Sequence, residues 1–173
     1  MIYVVGVGHK IEQFPHDMND LVKVEKFKKF IERVSREKKV GLIAEEWCDD
    51  ARFNSLTRKT YAEEFALAAN IHYSACDPGQ QERATLGILG RDKVAAGLGL
   101  NVFAIQPDTE EERCVNEAAA EGDRRREQFW MDKLAAAGAM EKNVIFVSGY
   151  GHADEFVALL NSNGWDAGRI YID

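Results

Sequence analysis

The chain has 173 residues, is 46% hydrophobic and carries a formal net charge of −7. That content is enough for a packed core, which excludes compositional disorder and predicts a single α/β domain over residues 1–173. The acidic balance excludes an electrostatic footprint for nucleic acid.

Ile2 to Gly8 is almost wholly apolar, as expected of a strand covered on both faces. It ends in Gly6-Val7-Gly8-His9, and a loop from Lys10 to Asn19 carries Pro15 and His16. Asn19 or Asp20 is placed to cap a helix reaching about Lys38, with Leu21, Val24, Phe27, Phe30, Ile31 and Val34 at helical spacing. Val40 to Ala44 reads as a second strand running into Glu45-Glu46-Trp47. Thr57 to Asn70 predicts a helix with Tyr61, Phe65 and Ala68 or Ala69 inward. A third strand, Ile71 to Ala75, leads to the turn signal Asp77-Pro78-Gly79. Gly87, Gly90, Gly97 and Gly99 break the stretch from Gln80 to Gln106 into short helical pieces, an irregular lid. Thr109 to Ala137 predicts a long helix weakened at Gly122. Asn143 to Ser148 is the next strand, and Gly149-Tyr150-Gly151-His152 repeats the first motif at its end. A helix from Ala153 to Asn161, a stop at Asn163-Gly164 and a strand from Arg169 to Ile172 complete the chain. This alternation predicts a mainly parallel central sheet with helices on both faces.

Strand carboxyl ends share one edge of a parallel sheet, and sites of open α/β folds lie there. Both Gly-x-Gly-His turns belong at that edge, Gly8 and Gly151 letting a ligand approach the backbone. Neither turn has the third glycine of a dinucleotide fingerprint; Ile11 and Asp154 stand in its place. No Gly-Lys-Ser/Thr phosphate loop occurs, so no nucleotide cofactor is expected. His9 and His152 are candidate bases or metal ligands. Glu45 and Glu46 arrive at the same edge, expected between the two motifs, and adjacent strand residues point to opposite sides. One of the two enters the site, as a proton acceptor or a hard metal ligand. Arg126 shares a helix face with Trp130 and Leu134, which brings it to the edge as a clamp for an oxyanion. Asp77 and Arg83 form a second polar group, with Asp77 doubling as a turn residue. His72 starts its strand at the opposite edge, and His16 falls on the rim. No Gly-x-Ser-x-Gly elbow occurs. The three cysteines, Cys48, Cys76 and Cys114, form no Cys-x-x-Cys and read as reduced thiols, which implies a cytoplasmic location. No apolar run reaches about 18 residues, so no membrane span is expected.

Together these residues resemble the TraB/TIKI superfamily, with its ChaN-like and erythromycin-esterase-like members. That group has one G-x-x-H motif after the first strand and one near the end, acids after the second strand and an Arg on a late helix. Here these are Gly6-Val7-Gly8-His9, Glu45-Glu46, Arg126 and Gly149-Tyr150-Gly151-His152. Where the family commonly has Asn after the Arg, this chain has Glu127. The resemblance covers both ends of the chain. It implies an α/β hydrolase, with metal-dependent proteolysis, lactone hydrolysis and haem binding all represented in the group.

The expected function is a divalent-metal-dependent hydrolase acting on a small ester, amide or phosphate compound, or on a peptide. His9, Glu46 and His152 are the expected metal ligands; His9, Glu45, Glu46, Arg126 and His152 are the catalytic set; Gly8, Asp77, Arg83 and Gly151 bind ligand. The alternative is a non-catalytic module holding a small anionic ligand in the same cleft. Oligomeric state stays open, a homodimer included.

Overall fold

The computed structural model describes residues 1–8, 18–48 and 59–172. Five strands form one sheet: β1 (Ile2–Val7), β2 (Val40–Glu45), β3 (His72–Ala75), β4 (Asn143–Gly149) and β5 (Ala167–Ile170). Their order is β3-β2-β4-β1-β5, and every neighbouring pair is parallel. The helices are α1 (Met18–Glu37), α2 (Tyr61–Ala68), α3 (Gln80–Leu86), α4 (Arg91–Gly97), α5 (Glu110–Ala136) and α6 (Ala153–Ser162).

Alternation along the strands divides the core. Val5, Val7, Ile43, Ile145 and Val147 face Phe27, Phe30, Ile31 and Val34 of α1 and Ala62 and Ala66 of α2. Val4, Leu42, Ala44, Val144 and Phe146 face Trp130, Met131 and Leu134 of α5 and Phe156 and Leu160 of α6. The crossover rule explains this division. A right-handed crossover fixes the helix face by the direction of travel across the sheet. β1 to β2 to β3 runs one way, β4 to β5 the other, and the helices change faces accordingly.

Several local expectations shift. α1 starts at Met18, so Asn19 and Asp20 lie in its first turn rather than at its cap. α2 starts at Tyr61; Thr60 caps it, its hydroxyl accepting from the Glu63 N–H at 3.1 Å. Its core residues are Ala62 and Ala66, while Ala68 and Ala69 are exposed. Tyr61 and Phe65 pack against the core as expected, Tyr61 lying edge-on to Phe27 of α1 and donating to Glu32 at 2.8 Å. Gly122 does not interrupt α5, and a Cβ there would meet Leu89 N at 3.9 Å, an ordinary contact. The middle forms two short helices, and α4 packs Val94 and Ala95 on Val115 of α5. β5 begins at Ala167, two residues before the expected Arg169, because its pairing with β1 runs from Ile2 to Val5. Cys48, Cys76 and Cys114 form no disulfide among the described residues. Among the described residues no helix is long and apolar enough to cross a membrane.

Candidate functional site

β1 and β4 are neighbours, yet the helices that follow them pack on opposite faces of the sheet. Such a reversal opens a crevice at the carboxyl edge, where α/β sheets take their ligands. Both Gly-x-Gly segments stand there, with Val7 opposite Gly149 in the ladder. His9 and His16 lie outside the described residues, and with them the expected pairing of His9 with His152. The expected order of the edge changes. β4 separates β1 from β2, so the two acids do not arrive between the motifs. Glu46 flanks β4 on its other side.

Glu45 and Glu46 part at the edge, as adjacent strand residues must. Glu46 turns to the α5 side. Its Oε2 accepts the Gly149 N–H at 2.7 Å, and its Oε1 forms an ion pair with Arg126 Nη2 at 2.5 Å. Glu45 turns to the α2 side and leaves the site. Its Oε2 accepts from Thr60 Oγ1 at 2.5 Å and from the Tyr73 hydroxyl at 2.8 Å. Burial pushes the Tyr73 phenol up, and the neighbouring Glu45 charge adds to that. Of the two expected acids, Glu46 thus lies with Arg126 and Glu45 turns to the other face of the sheet.

Arg126 is the hub. It stands on α5 one turn before Trp130, so the helix that buries Trp130 carries the guanidinium to the strand ends. Its Nε donates to Asp77 Oδ1 at 2.5 Å, and its Nη1 lies 3.5 Å from His152 Nε2. Its Cζ stands 5.2 Å from the Trp130 ring. Asp77 is the second hub: Oδ1 also accepts the Trp130 indole N–H at 3.0 Å, and Oδ2 pairs with Arg83. Burial pushes Asp77 up, but the Arg126 hydrogen bond and charge, with Arg83 and Trp130, outweigh it and hold the carboxyl below its ordinary value. Burial likewise disfavours the Arg126 charge, and Asp77 and Glu46 more than restore it. Asp77 thus belongs to the site rather than to its turn. Gly79 caps α3 instead, its N–H donating to Glu82 at 2.8 Å. Arg83 joins through Asp77 and through the Pro78 carbonyl at 3.0 Å.

His152 is the N-cap of α6. Its Nδ1 lies 3.2 Å from Glu127 Oε1, which assigns the proton to Nδ1 and leaves Nε2 as the acceptor. The hydrogen bond that His152 donates to Glu127 raises the imidazole pKa; burial and Arg126 pull it back in part, and Glu46 adds to the rise. Trp130 meets the imidazole edge-on at 5.4 Å. The side chain stays 21% exposed, so a ligand in the crevice reaches it.

Gly8 and Gly151 are exposed, and no atom of the described residues lies within 4 Å of where a Cβ would stand. Neither has a left-handed backbone. Gly6 is the glycine under pressure: its missing Cβ would stand 3.1 Å from Ala153 Cβ and 3.2 Å from Tyr150 Cα. His72 is exposed at the far edge, as expected.

Glu127, the Trp130 indole and Ser148 were missed. Glu127 shares the stripe of Trp130, Met131 and Leu134, and a carboxylate on a buried stripe calls for a partner. Ser148 is buried with an unpaired hydroxyl, beside Gly6 in the ladder.

The described donors do not fit a divalent cation. A cation held by His152 and Glu46 would meet Arg126, which already holds Glu46 and lies against His152. Among the described residues no three His, Cys, Asp or Glu side chains converge on one point. No family model, curated protein or solved structure matches the chain.

Proposed function

We propose that the chain is a hydrolase in which His152 is the general base. The observation that carries this reading is the Glu127–His152 pair, 3.2 Å apart at the crevice. Glu127 holds the Nδ1 proton, so Nε2 presents its lone pair. In the reaction, Nε2 takes a proton from water as the water oxygen bonds to the carbonyl carbon or phosphorus of the substrate. The imidazolium then returns that proton to the leaving oxygen or nitrogen as its bond breaks. Arg126, beside Nε2, offsets the negative charge that develops at the attacked group. Glu46 and Asp77 hold Arg126 in place, and the substrate is a small ester, amide or phosphate compound. The motif resemblance to the TraB/TIKI superfamily supports the same class.

The test is turnover of p-nitrophenyl acetate, p-nitrophenyl phosphate and a peptide anilide across pH, with chelator and with added zinc or manganese. His152→Gln abolishes turnover. Glu127→Ala lowers the pKa on the rising limb of the pH profile. Loss of turnover with chelator and its return with metal assign a metal to His9 and its neighbours. Absence of turnover on every substrate, with every metal, ends the hydrolase reading. A non-catalytic anion-binding module is the second reading, favoured by Arg83, whose side chain is 32% exposed at the end of the cluster.

A further inference from the structure

A second buried cation stands on β5, with its guanidinium beside Gly6. Arg169 lies opposite Val4 of β1, and only 9% of its side chain is exposed. Among the described residues its charge is met through Nη1, by Asp154 in the first turn of α6. Nε and Nη2 are buried with no hydrogen-bond partner among the described residues. A guanidinium presents five N–H donors in a planar fork, and buried donors call for acceptors. The Tyr150 and Tyr171 rings cover the cation at 4.6 and 5.0 Å, yet those residues are 66% and 64% exposed. The Asp154 side chain is 74% exposed, so its bridge is screened by water and readily exchanged.

Nη2 points at the start of α6. It lies 3.3 Å from where a Gly6 Cβ would stand, and Ala153 Cβ lies 3.1 Å from the same point. No side chain caps α6 there, because the His152 imidazole is turned to Glu127 and Arg126. The positive end of the helix dipole therefore faces the same corner.

We propose that Arg169 binds an oxyanion of the substrate, a phosphate, sulfate or carboxylate group, in the place Asp154 holds. The exposed tyrosines turn aside, and the fork of Arg169 takes two oxygens of the incoming group. Tyr150 and His152 are two residues apart, so their Cα atoms lie within about 7.6 Å, the reach of one small substrate. This deepens the hydrolase reading and rests on it in one respect, that the anion is one end of the substrate.

The experiment is calorimetric titration of the full chain with inorganic phosphate, sulfate and acetate at low salt. At least one of the three binds saturably, and which one does so identifies the anion class. Arg169→Gln weakens that binding by about tenfold or more, the loss of a bidentate charged contact. Arg169→Lys keeps the charge without the fork; it weakens binding while the melting midpoint stays near wild type. Asp154→Asn removes the competitor and strengthens binding by up to about fivefold. Lys29→Gln, on exposed α1, changes nothing. The proposal is overturned by an Arg169→Gln protein that binds like wild type, by an Asp154→Asn protein that binds more weakly, or by saturation with none of the three. Turnover is not read in this titration, so failure here leaves the hydrolase reading standing; absence of turnover leaves the anion site itself standing and removes only its assignment to one end of a substrate.

Discussion

Glu45 and Glu46 leave β2 one peptide apart and enter two different polar settings on the two faces of the sheet. Glu46 meets a guanidinium and a backbone N–H; Glu45 meets two hydroxyls, those of Thr60 and Tyr73. Both are buried, so burial alone does not separate them. What separates them is the partner. A cation beside a carboxylate couples it to other charges in reach, here Asp77 and His152. Among the described residues, two hydroxyl donors tie Glu45 to β3 and to the cap of α2. The α5 face thus gathers charges, and the α2 face links β2, β3 and α2.

The largest test of this contrast removes the hub. Arg126→Met leaves Glu46 and Asp77 as buried charges without their shared cation, and is expected to cost about 3–5 kcal/mol in urea unfolding. A cost below about 1 kcal/mol would mean that water already screens the cluster, and the contrast between the faces would collapse. Next come the two acids themselves. Glu46→Gln is expected to lose about 2–3 kcal/mol and to lower the His152 pKa, because one carboxylate that raises it is gone. Glu45→Gln is expected to lose about 1–2 kcal/mol and to leave the His152 pKa unchanged. NMR titration of the imidazole reads the difference; equal shifts in the two variants would show that the faces communicate.

Much of this edge was legible in the chain before any coordinates. Alternation along β2 separates Glu45 from Glu46, and the helical repeat puts Arg126 over Trp130. The parallel sheet follows from strands and helices taking turns. Strand order was not legible, because nothing in the long path from β3 to β4 records that β4 returns between β1 and β2. Asp77 was legible as a ligand-binding and turn residue from Pro78-Gly79, but not its partners Arg126 and Trp130, which lie 49 and 53 residues away. Glu127 was legible in principle from its stripe. Arg169 gave no signal, because its setting depends on Gly6 and Tyr150 from two other strand ends.

A smaller effect belongs to the α2 face. Tyr73→Phe removes one of the two hydroxyls on Glu45 Oε2 and leaves Thr60 in place. The expected cost is about 1 kcal/mol, the ordinary net worth of a hydrogen bond to a charged group at its low end. Turnover and the His152 titration stay as in wild type. A cost near that of Arg126→Met would move the weight of the edge to the α2 side.

The smallest effect is also the most diagnostic of the charged face. The folded His152 pKa is raised above its ordinary value of 6.5, chiefly by Glu127. A group with a raised folded pKa gives its full stabilisation below the unfolded pKa and loses it as pH rises through the folded one. The contribution of His152 is therefore complete below about pH 6.5 and fades above it. Asp77, held low chiefly by Arg126 against its burial, runs the other way: its contribution is present above its ordinary 3.8 and is lost as pH falls through the folded pKa. Unfolding curves of wild type and His152→Gln, subtracted at each pH, isolate the first of these limbs. The difference is expected to fall as pH rises beyond about 6.5, by less than about 1 kcal/mol in total, and to be flat through the acid limb that Asp77 governs. A difference that grew with pH would mean that Arg126, not Glu127, sets the charge of the imidazole, and the general-base assignment would go with it.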